Sequence, residues 1–142
     1  MNSKVTSAQE KATKANVADQ TVSAFMTKQV LAAHIGDSIR ATIHLFYKNQ
    51  ISGAPVLDKN EILKGVVSEH DLLIQAATKD LDSPIEFTTN VTSVKVDAKL
   101  KDLIVIFYKH KMKRLPVVGA GGHVVGIVSR IDLLAQLALS ES

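Results

Sequence analysis

The chain has 142 residues, 46% of them hydrophobic and 22% charged, a composition typical of one globular domain or of two small units that share a core. It contains no cysteine, which excludes disulfides and thiolate catalysis, and its formal net charge of +3 is too small to indicate nucleic-acid binding by itself. No apolar run approaches the roughly 18 residues of a membrane span and no secretory signal opens the chain, so we expect a cytoplasmic protein without membrane contact.

Residues 1–20 are rich in Ala, Lys, Thr and Gln without an apolar face, and they are predicted to form a flexible or loosely helical segment. After them the sequence repeats at a constant offset: GVVSEHDLL, beginning at Gly65, returns as GIVSRIDLL, beginning at Gly126. Between Thr27 and Ala77 this offset needs no gap, and sixteen of the 51 positions are identical to their counterparts in the second copy, against about three expected by chance. The chain is therefore a tandem duplication.

Each copy predicts the same elements in the order β-α-β-β-α. A short strand, in LAAHI or TSVKV, precedes an amphipathic helix whose predicted N-caps are Gly36–Asp37 and Asp97. The apolar face of this helix is predicted from residues at i, i+4 and i+7: Ile39, Ile43 and Phe46 in the first copy, and Leu100, Ile104 and Phe107 in the second. A Pro-led strand, a turn and a Val/Ile-rich strand follow, and a second helix begins after Ser68 or Ser129.

The predicted fold class is therefore α/β, with two tandem units packed with pseudo-two-fold symmetry. A unit of about 50 residues buries too little apolar surface to be stable alone, which is why we expect the copies to pack together. The predicted boundaries are a first motif at 21–78, a linker at 79–90 and a second motif at 91–142.

The repeated segments resemble the cystathionine β-synthase (CBS) domain. The resemblance rests on VSAFMT before the first strand, on SGAPVLD and KRLPVVG, and on GVVSEHDLL and GIVSRIDLL, and it extends from about Thr21 to Leu139. Two tandem copies resemble the CBS pair, or Bateman module, here as a stand-alone pair. The resemblance implies a regulatory, non-catalytic homodimer that requires no cofactor. It also implies an adenosyl ligand (AMP, ADP, ATP or S-adenosylmethionine) in clefts between the two motifs, and an effector protein of unknown identity.

The Ser-x-x-Asp motif, at Ser68–Asp71 and Ser129–Asp132, has a structural and a functional interpretation. A serine N-cap with an acid three residues on forms a capping box, which an inert protein would also contain. The same helix start can direct backbone N–H groups at phosphate, and a carboxylate can accept both hydrogen bonds of a ribose diol. By resemblance, Asp71 and Asp132 bind ribose, and Ser68 and Ser129 bind ribose or phosphate. Because capping does not explain the Pro-Val pair and the glycine that recur upstream, we favour a nucleotide site.

The resemblance also implies an apolar pocket for adenine. Its predicted residues come from the strand before the first helix and from the Pro-led strand of each copy: Val30, Ala54, Pro55, Val56, Thr92, Val94, Leu115, Pro116 and Val117. Ordinary core packing is the alternative interpretation for each of them.

Phosphate is expected to bind beside the start of the second helix of a copy. The predicted cationic residues are Arg130, Arg114, Lys113 and His70. The first copy has Glu69 and Gly53 where the second has Arg130 and Arg114, so the second copy is predicted to bind a phosphorylated ligand more tightly. A solvated helix end is the alternative interpretation of the basic segment Lys109–Arg114.

The sequence predicts no catalytic constellation and no metal site. The five histidines lack metal-ligand spacing, the serines lack the G-x-S-x-G elbow, and GAGGH is typical of a hairpin turn. Two other functions stay open. One is a ligand-free dimerisation or protein-interaction module, favoured by the acidic Glu69 in the phosphate region. The other is a nucleic-acid-binding accessory protein that uses Lys109–Arg114, although nucleic acid is not the favoured partner.

Overall fold

The computed structural model describes residues 16–110 and 112–139. These residues form two compact units. The first-repeat unit comprises Val30–Thr92 and Gly119–Val124, and the second-repeat unit comprises the described residues of 16–29, 93–118 and 125–139. Residues 21–29, which the sequence assigned to the first motif, therefore belong to the unit that the second repeat builds. The prediction for residues 1–15 lies outside the described residues, whereas residues 16–18 are helical and Val17 is buried in a core.

The first-repeat unit contains a three-stranded sheet and two helices. Its elements are β1 (Ala33–His34), α1 (Ile39–Asn49), β2 (Gly53–Leu57), β3 (Leu63–Ser68) and α2 (Glu69–Thr78). Strand β2 is central, pairing in parallel with β1 and antiparallel with β3. The parallel neighbour needs a crossover, which α1 supplies, whereas a short turn suffices for the antiparallel one.

The second-repeat unit has the same topology. Its elements are β4 (Val94–Lys95), α3 (Leu100–His110), β5 (Arg114–Val118), β6 (Val124–Ser129) and α4 (Arg130–Leu139). The sheet order is β4-β5-β6, and Val94 lies opposite Val117 as Ala33 lies opposite Val56, in register with the sequence repeat. The predicted α/β class and the β-α-β-β-α order are confirmed. None of the helices in the described part of the chain is long and apolar enough to cross a membrane.

The first helix of each unit buries a slightly different stripe from the predicted one. Helix α3 buries Leu103, and the predicted Ile104 is 41% exposed. In α1 the corresponding buried residue is Thr42, whose hydroxyl is satisfied by donating to the Ser38 carbonyl at 2.9 Å. The stripe therefore follows i, i+3 and i+7, which a period of 3.6 residues permits equally well.

The predicted N-cap of α1 is also wrong by one or two residues. Ser38 is the N-cap, and its Oγ accepts from the Ala41 amide at 3.0 Å. The Asp37 carboxylate instead accepts from the His34 amide at 2.8 Å, which closes the turn after β1. At the position equivalent to Ser38, the Lys99 amide donates to Asp102 at 3.4 Å.

A strap completes each unit by crossing its sheet edge and the start of its first helix. The linker strap, Leu81–Thr88, belongs to the first-repeat unit, and the N-terminal strap, Gln20–Thr27, belongs to the second. Thr88 exchanges two backbone hydrogen bonds with Val66, at 2.9 and 3.0 Å, and Thr27 exchanges two with Ile127, at 2.8 and 2.9 Å. Both contacts fall on equivalent residues of the two copies, so the straps are part of the repeat.

The recurring glycines lie beneath these straps. A Cβ atom on Gly65 would come within 2.3 Å of the Thr88 carbonyl oxygen and 2.5 Å of the Phe87 ring. A Cβ atom on Gly126 would come within 2.5 Å of the Met26 sulfur and 3.0 Å of the Thr27 carbonyl oxygen. Close packing of strand and strap thus explains why a glycine recurs at this position in both copies. The recurrence of the glycine is therefore no longer an argument for a nucleotide site.

Candidate functional site

The Ser-x-x-Asp motif of the first-repeat unit forms a complete capping box. The Asp71 amide donates to Ser68 Oγ at 3.1 Å, and the Ser68 amide donates to Asp71 Oδ2 at 3.2 Å. The Ser68 hydroxyl also donates to Asp71 Oδ2, at 2.8 Å. Both side chains are half-buried where β3 meets α2. The structural interpretation of the motif is therefore present in the fold.

The second-repeat unit forms the same box with one bond fewer. The Ser129 amide donates to Asp132 Oδ2 at 2.8 Å, and the Asp132 amide donates to Ser129 Oγ at 3.3 Å. Among the described residues the Ser129 hydroxyl donates no hydrogen bond, and neither aspartate uses its Oδ1. Each box thus fixes an aspartate through one carboxylate oxygen and leaves the other available.

Few backbone N–H groups at these helix starts are free to bind phosphate, contrary to the expectation from the sequence. The Glu69 amide donates to the Ser52 carbonyl at 2.9 Å, and the Arg130 amide donates to the Lys113 carbonyl at 3.2 Å. With the third amide of each helix bound to the serine, a phosphate would depend chiefly on side chains.

The structure brings the predicted cationic residues of the second repeat together. The bond from the Arg130 amide places the start of α4 beside Lys113, and Arg114 follows as the first residue of β5. All three residues are exposed. At the equivalent positions the first-repeat unit has Glu69, Ser52 and Gly53, and its predicted cationic residue, the exposed His70, stands one residue further along α2.

Most residues predicted to line an adenine pocket lie in the two hydrophobic cores. The core side chains are Ala54 and Val56 in the first-repeat unit, and Val94, Leu115 and Val117 in the second. Pro55 and Pro116 are buried on the opposite faces of their strands, while Val30 and Thr92 are half-buried. By its contacts Thr92 belongs to the first-repeat unit, although the sequence assigned it to the second copy. The adenine assignment stays a prediction.

An open groove of about 470 Å³ lies elsewhere in the first-repeat unit, between α1 and α2. Its lining includes Phe46, Tyr47, Leu72 and Leu73, with Glu69 at the start of α2, and none of the residues predicted for adenine. The described residues contain no group of three or more His, Asp or Glu side chains that could hold a metal ion.

Sequence reasoning missed Gln75, a buried polar residue in α2. Its side-chain amide pairs with the backbone of Glu86 in the linker strap, donating to the carbonyl at 2.9 Å and accepting from the amide at 2.8 Å. The glutamine recurs as Gln136, and this identity was a signal in the sequence. In the second repeat, however, Gln136 makes no side-chain hydrogen bond within the described part of the chain.

Two α/β units of one topology, each opening its second helix with a Ser-x-x-Asp box, define a tandem-repeat module. The family model for the CBS domain matches the chain twice, at residues 22–77 and 82–139. The chain therefore belongs to the CBS-domain family, as a tandem pair.

Solved structures of CBS pairs share the fold. CBSX2 of Arabidopsis thaliana, crystallised in complex with AMP, is 27% identical with a TM-score of 0.73, and the match covers 86% of this chain and 98% of that one. The CBS pair of MJ0100, in complex with 5′-methylthioadenosine and S-adenosylmethionine, is 25% identical with a TM-score of 0.71, covering 87% and 98%.

Among curated relatives, the protein MJ1426 of Methanocaldococcus jannaschii is 30% identical, with 78% of this chain and 87% of the relative covered. MJ1232 of the same organism is 34% identical, but only 36% of its length is covered. The inosine-5′-monophosphate dehydrogenase of Halobacterium salinarum is 27% identical, and the chain covers 22% of that enzyme. The likeness to the dehydrogenase is thus confined to a small part of it.

Proposed function

We propose that this chain is a regulatory module that binds an adenosyl ligand, an adenine nucleotide or S-adenosylmethionine, and passes its ligand state to a partner protein. The observation that carries the proposal is the pair of Ser-x-x-Asp boxes, each with a fixed aspartate and an unused carboxylate oxygen. Support comes from CBSX2 and the MJ0100 pair, which share the fold and were crystallised with AMP and with adenosyl thioether or sulfonium ligands.

The chemistry assigned to Asp71 and Asp132 is recognition of the ribose diol. An ionised carboxylate only accepts hydrogen bonds, and each oxygen can accept two, so Oδ1 can receive both ribose hydroxyls. The capping box holds the carboxylate in one orientation through Oδ2, which lowers the ordering cost of binding. Ser129, whose hydroxyl proton is not given to Asp132, can donate it to the ligand, whereas Ser68 donates to Asp71.

The second-repeat site is the better candidate for a phosphorylated ligand. Arg130, Lys113 and Arg114 are adjacent there and can neutralise phosphate through charge-assisted hydrogen bonds. Glu69 holds the position of Arg130 in the first-repeat unit and would repel phosphate, with His70 as its one predicted cationic neighbour.

The regulatory mechanism that we propose is linkage. A ligand with unequal affinity for two arrangements of a homodimer shifts their populations, and an effector protein responds to the favoured arrangement. Ligand binding and release suffice for this, so no catalytic residue and no cofactor are required. We place the protein in the cytoplasm, in keeping with the absence of cysteine.

A thermal-shift screen against AMP, ADP, ATP, S-adenosylmethionine and NAD would identify the ligand. At 100 times its dissociation constant a ligand adds about 2.7 kcal/mol to the free energy of unfolding, a shift of several degrees for a chain of this size. Dissociation constants by calorimetry, measured well below the melting temperature, should then rise at least about tenfold in Asp132→Ala or Asp71→Ala.

Asp102→Ala is the matched control. Asp102 also lies in the first turn of a helix and also accepts from the amide three residues earlier, but it lies outside the predicted site. Its substitution should leave the affinity unchanged. Unchanged affinity in both Asp71→Ala and Asp132→Ala would contradict the site assignment, and the absence of any ligand across the panel would favour the interaction-module function.

A further inference from the structure

The composition of this protein limits where an oxidant can act. The sequence contains no cysteine and no tryptophan, so its three methionines are the side chains that a peroxide oxidises most readily. Met1 lies outside the described residues, whereas Met26 and Met112 are half-buried against the core of the second-repeat unit. A half-buried side chain keeps part of its surface in contact with water, and a small hydroperoxide can approach it from there.

Met26 lies where the N-terminal strap crosses β6. Its sulfur would be 2.5 Å from a Cβ atom on Gly126, so the thioether occupies the space that a side chain would fill at this glycine. The next residue, Thr27, exchanges its two backbone hydrogen bonds with Ile127, at 2.8 and 2.9 Å. The apolar side chain of Met26 therefore packs directly beside this pair of hydrogen bonds.

The first-repeat unit makes the same crossing with a side chain that resists oxidation. Phe87 holds the position of Met26 in the sequence repeat, and its ring lies against Gly65. Thr88 and Val66 exchange the equivalent hydrogen bonds, at 2.9 and 3.0 Å. Because a phenyl ring is not oxidised under the mild conditions that oxidise a thioether, a peroxide acts on one crossing and spares the other.

Oxidation of Met26 is a two-electron oxygen transfer. A lone pair of the sulfur attacks one peroxide oxygen, so that an S–O bond forms as the O–O bond breaks, and the proton on the transferred oxygen passes to the departing oxygen. The products are methionine sulfoxide and water, or an alcohol if the hydroperoxide is organic. The sulfoxide is polar and favours water over its place against Gly126. Rotation of the side chain into water then uncovers the hydrogen bonds between Thr27 and Ile127.

The remaining contacts of the strap confine this change to the crossing. Val22 is fully buried and its amide donates to the Ala98 carbonyl at 2.7 Å, while the Gln20 carbonyl accepts from the Leu100 amide at 2.9 Å. These contacts do not use the Met26 side chain, so the strap stays attached at the start of α3 while it opens over β6. Strand β6 ends at Ser129, and the opening therefore lies next to the Ser-x-x-Asp box of this unit.

We propose that Met26 is a reversible oxidation site, at which a hydroperoxide converts the thioether to a sulfoxide and so loosens the N-terminal strap on β6. This inference goes beyond the proposed function, because it concerns the backbone crossing and needs no adenosyl ligand.

Hydrogen exchange by NMR, on the full chain in nucleotide-free buffer before and after dilute hydrogen peroxide, tests the proposal. Mass spectrometry of peptides first establishes which methionine has gained an oxygen. The Thr27 and Ile127 amides should then exchange at least about tenfold faster, while the Thr88 and Val66 amides of the other crossing should be unaffected. Methionine sulfoxide reductases should restore the original rates. The proposal would be overturned if Met26 stayed a thioether while Met112 was fully oxidised, or if its complete oxidation left the Thr27 exchange unchanged.

Two variants separate Met26 from the other methionines. Met26→Leu keeps an apolar side chain without a sulfur, so peroxide should no longer accelerate the exchange of Thr27. Met112→Leu, a change in the same core but outside the strap, should respond to peroxide as the wild type does. Met26→Gln imitates the polarity of the sulfoxide and should show the fast exchange without any oxidant. A peroxide response that persists in Met26→Leu, or wild-type exchange in Met26→Gln, would contradict the assignment to this residue.

Discussion

The two helix starts share a sequence motif but distribute their hydrogen bonds differently. In the first-repeat unit the Ser68 hydroxyl donates to Asp71, so that serine and aspartate form a closed pair. In the second-repeat unit the Ser129 hydroxyl is not used in this way, and Arg130 stands where the first has Glu69. The same fold element thus forms a closed serine–aspartate pair in one unit, while in the other the serine hydroxyl donates no hydrogen bond within the described residues and the neighbouring side chain is positive.

The two straps also differ in the contacts that hold them to their units. The linker strap is held by the buried Gln75, which pairs with the backbone of Glu86, and it lies on Gly65 through backbone and an aromatic ring. The N-terminal strap lies on Gly126 through the flexible Met26 side chain and, less closely, through the Thr27 carbonyl oxygen. The duplicated sequence therefore specifies the same backbone crossing twice, with an aromatic ring against the glycine in one unit and a flexible side chain against it in the other.

The largest expected effect on the free energy of unfolding comes from substituting the glycines beneath the two straps. Gly65→Ala should lower the free energy of unfolding by about 3 kcal/mol, because neither the Thr88 carbonyl nor the Phe87 ring can move away cheaply. Gly126→Ala should cost less, about 1.5 kcal/mol, since the Met26 side chain can rotate out of the way and the Thr27 carbonyl oxygen, 3.0 Å from the added Cβ, needs only a small shift. Urea denaturation of both variants measures the difference, and equal costs would show that the N-terminal strap is as rigid as the linker strap.

The glutamines give the next comparison. Gln75→Leu should cost about 2 kcal/mol, because it leaves the Glu86 amide and carbonyl without their partner. Gln136→Leu should change stability by less than about 0.5 kcal/mol. Hydrogen exchange at the Glu86 amide provides an independent measurement, since it should accelerate in the first variant. An equal loss in both variants would contradict the proposed asymmetry of the straps.

Serine substitution probes the capping boxes with a smaller effect. Ser68→Ala should cost about 1.5 kcal/mol and Ser129→Ala about 0.5 kcal/mol, because Ser68 makes an additional hydrogen bond to Asp71. Thermal unfolding without ligand ranks the two. If Ser129 serves the ligand, its substitution should in contrast have the larger effect on ligand affinity, measured by calorimetry.

The smallest effect concerns the turn after β2. Asp58 Oδ1 accepts from the Ile62 amide at 3.0 Å and from the Asn60 amide at 2.8 Å, and Lys64 and His123 lie nearby. Mainly because of the Ile62 hydrogen bond, the pKa of Asp58 is lowered below its usual value, although desolvation opposes this. A lowered folded-state pKa means that the carboxylate stabilises the fold above its unfolded pKa of about 3.9, and that this contribution is lost as pH falls through the folded value.

Asp58→Asn retains the acceptor oxygen but does not titrate, so its urea midpoint should fall less than that of the wild type on acidification below about pH 4. A carboxyl titration by NMR should place the Asp58 pKa below that of ordinary aspartates. The second repeat has Gly119 at the equivalent position, and its turn instead uses Gly121 and Gly122, both at positive φ. If the urea midpoint of Asp58→Asn fell as much as that of the wild type on acidification, the assignment of this effect to Asp58 would be contradicted.

Much of this protein was predictable from its sequence, because the information is local. The constant offset between the copies established the duplication, the spacing of apolar residues predicted the helices, and Ser-x-x-Asp marked the starts of α2 and α4. Capping and helical periodicity depend on residues within about one turn of each other, so a sequence reveals them directly.

Only the tertiary structure decided how distant segments combine. It placed the N-terminal strap on the second-repeat unit, gave Gly65 and Gly126 their packing role, and showed that Ala54 and Val56 lie in a core. It also decided that Leu103 is buried and Ile104 is not, since both fit the helical period and only the position of the neighbouring sheet distinguishes them. Long-range packing leaves no pattern among neighbouring residues. The sequence therefore revealed the Ser-x-x-Asp motif, but not the strap and core contacts made by the residues around it.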